Sequence, residues 1–385
     1  MTGSCKESLW KTSLPRSSVL YACVFINTVF IAVMILRHDV RDILTVGIKQ
    51  QRVDYTRIPG NTEMHSTSKK VKSEKHIIIL AGKRTGSSFL GEILNQNTKV
   101  MYMFEPLFHF TEKVLKGDMN PDIFDAESVE LVDSIFKCDF NNSRFMTRLH
   151  PLFCSTSNAL SKSALCGKHK VPTDDIVVEN FTNVCRTYLY KALKTIRIYD
   201  IELLRSLAVD PALNLKIIHL VRDPRGIMNS RENLNSKNLD FERKDVEWDE
   251  VTDLCKDIKK NLNIVSTSAS WLKGRYMRIR YEDVAKHPHS KAEDIYDFIG
   301  LEMPTEVKQW ISENTNQTKG NQFSRSRNSS VVATKWRNEM PFSDILSIQK
   351  KCSISMALLG YKEVKSPTDL NEETNVLGPL PDYLS

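Results

Sequence analysis

The sequence predicts a three-layer α/β domain, with a central parallel sheet flanked by helices, preceded by one transmembrane helix. Three observations carry this. Two continuous apolar runs rich in β-branched residues, His76–Ala81 (HIIILA) and Leu215–Val221 (LKIIHLV), read as strands buried on both faces. Helical patterns separate the strand-like runs, and strands alternating with helices argue for parallel pairing. One uncharged stretch, Ser18–Leu36 (SVLYACVFINTVFIAVMIL), is close to the roughly 20 residues that a membrane-spanning helix needs.

The chain has 385 residues, 41% hydrophobic and 26% charged, enough for a sizeable core and contrary to wholesale disorder. Residues 1–17 form a cytoplasmic tail. The run 18–36 is too long for a cleaved leader's apolar region and lacks a small-x-small site after it, so it reads as a signal anchor; a cleaved leader or a core helix are the alternatives. Basic residues lie on both sides (Lys11 and Arg16, then Arg37, His38 and Arg41), so orientation rests on the character of the large C-terminal domain. Residues 37–75 are polar with a late lysine cluster, a stem. Beyond it lie six cysteines (Cys138, Cys154, Cys166, Cys185, Cys255, Cys352) and four N-x-S/T sequons (Asn141, Asn180, Asn316, Asn328). Together they point to a lumenal domain with disulfides. Sequence alone leaves fifteen pairings of six cysteines open. No CxxC occurs, so zinc lacks its usual spacing. At a lumenal address the net charge of +7 fits an acidic glycan or a phosphorylated nucleotide, not nucleic acid.

Order begins at His76. The strand His76–Ala81 leads through a glycine-rich turn to a helix over Ser88–Asn95. Further strands are expected over Lys99–Phe104, Thr195–Ile198, Leu215–Val221 and Tyr276–Tyr281. Helices are expected over Ile201–Ala208, from Asp223-Pro224 onward, over Asp249–Lys273, and near Lys291–Ile299, Thr305–Glu313 and Ser343–Leu359. Asp223 is a good N-cap and Pro224 fits a first turn; Gly300 and Gly360 stop their helices. The domain is read as 76–363, with a tail over 364–385. The stretch Lys113–Asn180 gives little pattern.

Two motifs carry chemistry. Gly82-Lys83-Arg84-Thr85-Gly86-Ser87-Ser88 joins a strand to a helix. Glycines let backbone N–H groups point inward and the helix N-terminus adds positive potential, so the turn cradles an anion. This makes the domain P-loop-like. The NTPase form G-x-x-x-x-G-K-[ST] is absent, because Gly86 is followed by Ser87 and the basic pair precedes it. The second motif is Leu220-Val221-Arg222-Asp223-Pro224-Arg225-Gly226-Ile227-Met228-Asn229-Ser230. Arg222 leaves a buried strand end, where α/β folds bind ligands. Ser230 comes about two helical turns later. Either both face one phosphate, or Arg222 pairs with Asp223. Two anion sites at two strand ends suit a ligand with phosphate at both 5′ and 3′ positions.

The stretches AGKRTGSSFLGEILNQ, FEPLFHF and LVRDPRGIMNSR resemble the Golgi carbohydrate 6-O-sulfotransferases. Similarity continues through WLKGRYMRIRYEDVA (Trp271–Ala285), RNSS, KWR and MALLGYK, covering roughly residues 76–363, nearest the chondroitin 6-sulfotransferase and keratan sulfate galactose 6-sulfotransferase branch. The resemblance implies the fold of sulfotransferases that use 3′-phosphoadenylyl sulfate (PAPS), with no metal. It implies transfer of a sulfuryl group to the 6-hydroxyl of galactose, N-acetylgalactosamine or N-acetylglucosamine, in chondroitin, keratan sulfate or another glycan, at the Golgi membrane in type II orientation. By that resemblance Arg84 contacts the transferring group, Thr85–Ser88 surround the 5′-phosphate, and Arg222 and Ser230 grip the 3′-phosphate. Gly82-Lys83 departs from the small hydroxyl residues of vertebrate relatives; Lys83 either adds affinity or faces solvent.

Sulfuryl transfer, like phosphoryl transfer, is a problem of positioning and charge stabilisation. Arg84 is suited to neutralise the departing oxygen. Glu105, just past the strand Lys99–Phe104, is the first choice as base for the acceptor hydroxyl, with His109 second. Glu105 as a salt-bridge partner of Arg84, and His109 as a structural histidine, are the plainer readings. Trp336-Arg337 is either a platform for sugar or adenine, or core. Tyr281-Glu282-Asp283 ends a strand and reads as structural. The competing functions are a Golgi nucleotide-dependent phosphotransferase, which needs the missing GK[ST] loop, and an inactive sulfoglycan-binding paralogue, which predicts loss of Arg84, Arg222 or Ser230.

Overall fold

In a computed structural model, residues 74–140, 151–166, 178–235, 248–267, 269–315, 329–371 and 375–381 are described. The anchor, the stem and three of the sequons lie outside them. Among the described residues no helix is long and apolar enough to cross a membrane.

Five parallel strands form the sheet: β1 (Lys75–Ala81), β2 (Val100–Phe104), β3 (Tyr190–Thr195), β4 (Leu215–Val221) and β5 (Tyr276–Arg280), in the order β2-β3-β1-β4-β5. The helices of eight residues or more are α1 (Ser87–Asn95), α2 (Phe108–Lys116), α3 (Phe124–Lys137), α4 (Val178–Arg186), α5 (Pro224–Asn235), α6 (Trp248–Thr267), α7 (Pro288–Ile299), α8 (Thr305–Thr315) and α9 (Phe342–Leu358). The chain builds β2 and β3 on one side of β1, then crosses to build β4 and β5 on the other. This reversal falls beside β1, and in such sheets ligands customarily bind outside the carboxyl ends of the strands at such a point.

Alternate residues of each strand feed two separate cores. Ile78, Leu80, Met101, Met103, Leu193 and Ile217 face the layer that contains α3 and α4. Ile77, Ile79, Tyr102, Ala192, Ile218 and Ile279 face α1, α7 and α8. This is why β1 and β4 read as unbroken apolar runs. A third cluster joins α6 to α9. The six cysteines pair as Cys138–Cys185, Cys154–Cys166 and Cys255–Cys352. The first ties the end of α3 to α4, and the last ties α6 to α9.

Three expectations change. The strand expected over 195–198 is Tyr190–Thr195, because its lysines 191 and 194 are buried at 2% exposure and hid its pattern. The helix expected over 249–273 ends at Thr267, and a short 3-10 turn covers Ala269–Leu272. The described residues beyond 363, expected as a tail, include two that pack on the third cluster: Val364 and Val376 are buried. Lys362 N–H donates to the Val376 carbonyl (2.8 Å) and Gly378 N–H to that of Gly360 (2.7 Å).

Candidate active site

The turn after β1 is closed on itself. Thr85 donates its hydroxyl (2.8 Å) and its N–H (3.3 Å) to the Gly82 carbonyl. Its hydroxyl is therefore spent on the loop's shape. Arg84 (φ 71°) and Gly86 (φ 89°) both adopt the left-handed conformation, which turns the backbone into α1. A side chain at Gly86 has no room, because a Cβ there would lie 2.3 Å from the Tyr281 ring. Helix α1 begins with no side-chain cap and no acidic residue in its first turn. The positive end of its dipole is uncompensated by the protein and faces the turn, as an anion site requires. Ser87 is buried, Ser88 half-buried, and Lys83 exposed.

The second motif meets the first directly. Arg84 Nε donates to Ser230 Oγ (3.0 Å), and Arg222 Nη1 donates to the Arg84 carbonyl (2.9 Å). Arg222 Nη2 donates to the Val332 carbonyl (3.0 Å), and its guanidinium stacks 4.5 Å from the Tyr281 ring centre. Its buried Nε has no partner among the described residues. Gly226 keeps that nitrogen clear, since a Cβ at 226 would lie 3.1 Å from it. Arg222 does not pair with Asp223. Asp223 binds Arg225 through both carboxylate oxygens (2.7 and 3.0 Å) and accepts the Arg225 N–H (2.9 Å). Arg225 is wholly buried, donates to Gln349 (2.7 Å) and lies 4.2 Å over the Trp336 ring. Trp336 is thus a core residue and no platform, at 2% exposure. Arg337 donates to the Asn371 carbonyl (2.5 Å).

Glu105 leaves β2 at the same edge, with φ 47°. β2 lies two strands from β1, so the carboxylate sits laterally about 10 Å from the phosphate turn's strand. It is buried, and its partners are Lys194 and Arg197, one on each oxygen, rather than Arg84. Lys194 lies 4.1 Å over the Phe104 ring. Arg197 donates to Thr111 Oγ1 (2.8 Å) and stacks 4.9 Å from Phe108. Sequence reasoning missed both cations; the signal available was two basic residues flanking Thr195 at a strand end. His109 is half-buried in the first turn of α2.

Tyr281-Glu282-Asp283 opens a short helix (Tyr281–Lys286) instead of closing a strand. Burial and the neighbouring Asp223 raise the Glu282 carboxyl above its usual range, against the pull of Arg222.

The sulfotransferase-domain family matches residues 74–360. Carbohydrate sulfotransferase 1 of Mus musculus is 32% identical over 81% of this chain and 84% of its own length. Carbohydrate sulfotransferase 3 of Tetronarce californica is 33% identical over 78% of this chain and 76% of its own. Among solved structures, the sulfotransferase domain from the curacin biosynthetic pathway is 16% identical with a TM-score of 0.42, covering 76% of this chain and 99% of that one. With the family matched across most of the chain and relatives a third identical over most of their own length, the chain belongs to the sulfotransferases, and among them to the carbohydrate sulfotransferases.

Proposed function

We propose that this enzyme uses PAPS to sulfate the 6-hydroxyl of a galactose, N-acetylgalactosamine or N-acetylglucosamine residue in a glycosaminoglycan or glycoprotein glycan. The observation that carries the reading is the junction of Arg84, Arg222 and Ser230, which brings two anion-binding motifs to adjacent strand ends. Such a pair fits a nucleotide phosphorylated at both 5′ and 3′ positions. The uncapped α1 N-terminus, and the Arg222 Nε that has no partner among the described residues, are donors suited to an anion.

In this reading, Gly82, Lys83 and Thr85 shape and flank the turn, while the N–H groups of Gly86, Ser87 and Ser88 hold the 5′-phosphate. Arg222 and Ser230 hold the 3′-phosphate. PAPS supplies the activated sulfuryl group and a stable bisphosphate leaving group. Arg84, already seated between the two motifs, stabilises negative charge on the departing oxygen. Glu105 accepts the proton of the acceptor hydroxyl after one of its two cationic partners shifts away. Three disulfides and the exposed Asn180 favour a lumenal address, with residues 18–36 as the Golgi membrane anchor.

The test uses the full chain in detergent-solubilised membranes, with radiolabelled donor and a panel of chondroitin, desulfated keratan and N-acetylglucosamine-terminated acceptors, beside an Arg84→Ala control. Label on the 6-position of one glycan, absent in the control, supports the reading and names the sugar. Label at another hydroxyl refutes the 6-O assignment. Failure to bind adenosine 3′,5′-bisphosphate refutes the donor.

A further inference from the structure

Arg222 has a support behind it that the transfer scheme does not use. The Asp223 N–H, directly after Arg222, donates to Glu282 Oε1 (3.0 Å), and Tyr361 donates its hydroxyl to Glu282 Oε2 (2.7 Å). All three residues are buried: Asp223 at 1%, Glu282 at 8% and Tyr361 at 4% exposure. A buried carboxylate is costly unless hydrogen-bonded, and here each oxygen has a donor. The Asp223 side chain is already satisfied by Arg225, so Glu282 fixes the backbone of the turn, and with it the direction in which Arg222 leaves β4.

Tyr361 is itself pinned by the C-terminal segment. Gly360 (φ 72°) lets the chain double back so that Gly378 pairs with it; a Cβ at 360 would lie 2.3 Å from the Pro379 carbonyl oxygen. Arg280 Nη1 reaches the carbonyls of Leu359 (3.3 Å) and Gly378 (2.9 Å), while its Nε bonds Asp283 (2.8 Å). The neighbouring Tyr281 supplies the ring under Arg222. The stretches 359–371 and 375–381 therefore reach Arg222 by two connected routes, through Glu282 and through Tyr281.

We propose that Tyr361 and Glu282 are positioning residues for the donor's 3′-phosphate, and that the C-terminal segment is the brace that sets them. The inference rests on the donor reading above. Its signature is selective. A brace for Arg222 governs chiefly the part of the affinity that comes from the 3′-phosphate, and it reaches the 5′ turn only indirectly, through the Arg222–Arg84 hydrogen bond and the Tyr281 ring beside Gly86.

Calorimetry on the full chain compares adenosine 3′,5′-bisphosphate with adenosine 5′-phosphate, alongside thermal unfolding. For Tyr361→Phe the bisphosphate is expected to bind about tenfold more weakly and the monophosphate within about twofold of wild type. Glu282→Ala is expected to do the same, while Glu282→Gln, which still accepts from Asp223 N–H, retains most of the affinity. Tyr296→Phe is the control, a buried tyrosine bonded to the Ile93 carbonyl elsewhere. Equal losses for both nucleotides, or no loss for either, overturn the inference. If Tyr361→Phe does not fold, Glu282→Gln against Glu282→Ala decides by the same ratio. A wild-type chain that binds both nucleotides equally sinks the donor reading and this inference with it. A wild-type preference that survives Tyr361→Phe sinks the inference alone.

Discussion

Replacing Glu105 by Gln tests the proposed acceptor side of the site, and the structure sets the size of the effect. The carboxylate (7% exposed) neutralises Lys194 (2%) and Arg197 (14%). An amide keeps the shape and removes the charge, stranding two cations where little water reaches them. Breaking a buried ion pair from one side costs about 3–5 kcal/mol. For a domain of the span matched by the family, residues 74–360, the unfolding entropy is about 0.6 kcal/mol per degree. Tm should therefore fall by about 5–8 °C, read by differential scanning fluorimetry of the full chain. Adding Lys194→Met removes one stranded charge and should return part of the loss, a coupling that a double-mutant cycle isolates. If Glu105 is also the base, kcat falls about 10²–10³-fold while the donor KM barely moves. A drop in Tm with unchanged kcat would refute the base and leave the clamp. A Tm within about 1 °C of wild type would refute the clamp itself, and with it the claim that this charge cluster is held dry.

Three further outcomes are expected. Gly86→Ala forces a Cβ to within 2.3 Å of the Tyr281 ring at a left-handed φ, which costs about 1–2 kcal/mol before the ring moves; because that ring supports Arg222, the donor KM should rise at least about tenfold in initial-rate measurements. Acidification should destabilise the fold through His76 and His219, whose burial lowers them to about 4 and about 3. Both are neutral when folded and take up protons when unfolded, so their stabilisation is complete above about pH 6.5 and is lost as pH falls toward 4 and 3, about 2 kcal/mol each by pH 5; His76→Phe should flatten the dependence of Tm on pH. Removing Cys255–Cys352 by double Ser substitution, which frees a loop of 97 residues, should cost about 4–5 kcal/mol against about 3 kcal/mol for Cys154–Cys166 with its separation of 12, compared by thermal unfolding.

What the sequence makes legible here is what is local. β1 and β4 declare themselves because both faces of each strand are apolar, and the turn 82–88 declares itself because glycine, charge and a helix start lie within a few residues. Arg222 and Ser230 are legible for the same reason, being two turns apart on one strand-to-helix passage. That the two motifs touch, through Arg84, depends on β1 lying beside β4, which no local pattern encodes.

β3 fails to read as a strand because a pattern argument assigns lysine to solvent. Lys191 and Lys194 point into the protein, where Glu74 and Glu105 meet them, and the register that sets Phe104 beside Lys194 brings Glu105 within reach. The brace formed by 359–371 and 375–381 is hidden differently. It is held largely by backbone groups, Lys362 to Val376 and Gly378 to Gly360, and a backbone hydrogen bond leaves no residue-type signature. Past Gly360, only Tyr361, Val364 and Val376 are buried among the described residues, too few for a period. Both failures fall beside the candidate site: the buried lysine holds the candidate base, and the hidden brace stands behind Arg222. A strand that buries cations is a poor strand by local rules, and its persistence requires partners fixed by tertiary contacts. Such local violations concentrate where a protein sets charge for function rather than for folding. On that ground Lys194, which broke the strand pattern, marks the acceptor edge we propose more sharply than the glutamate it holds.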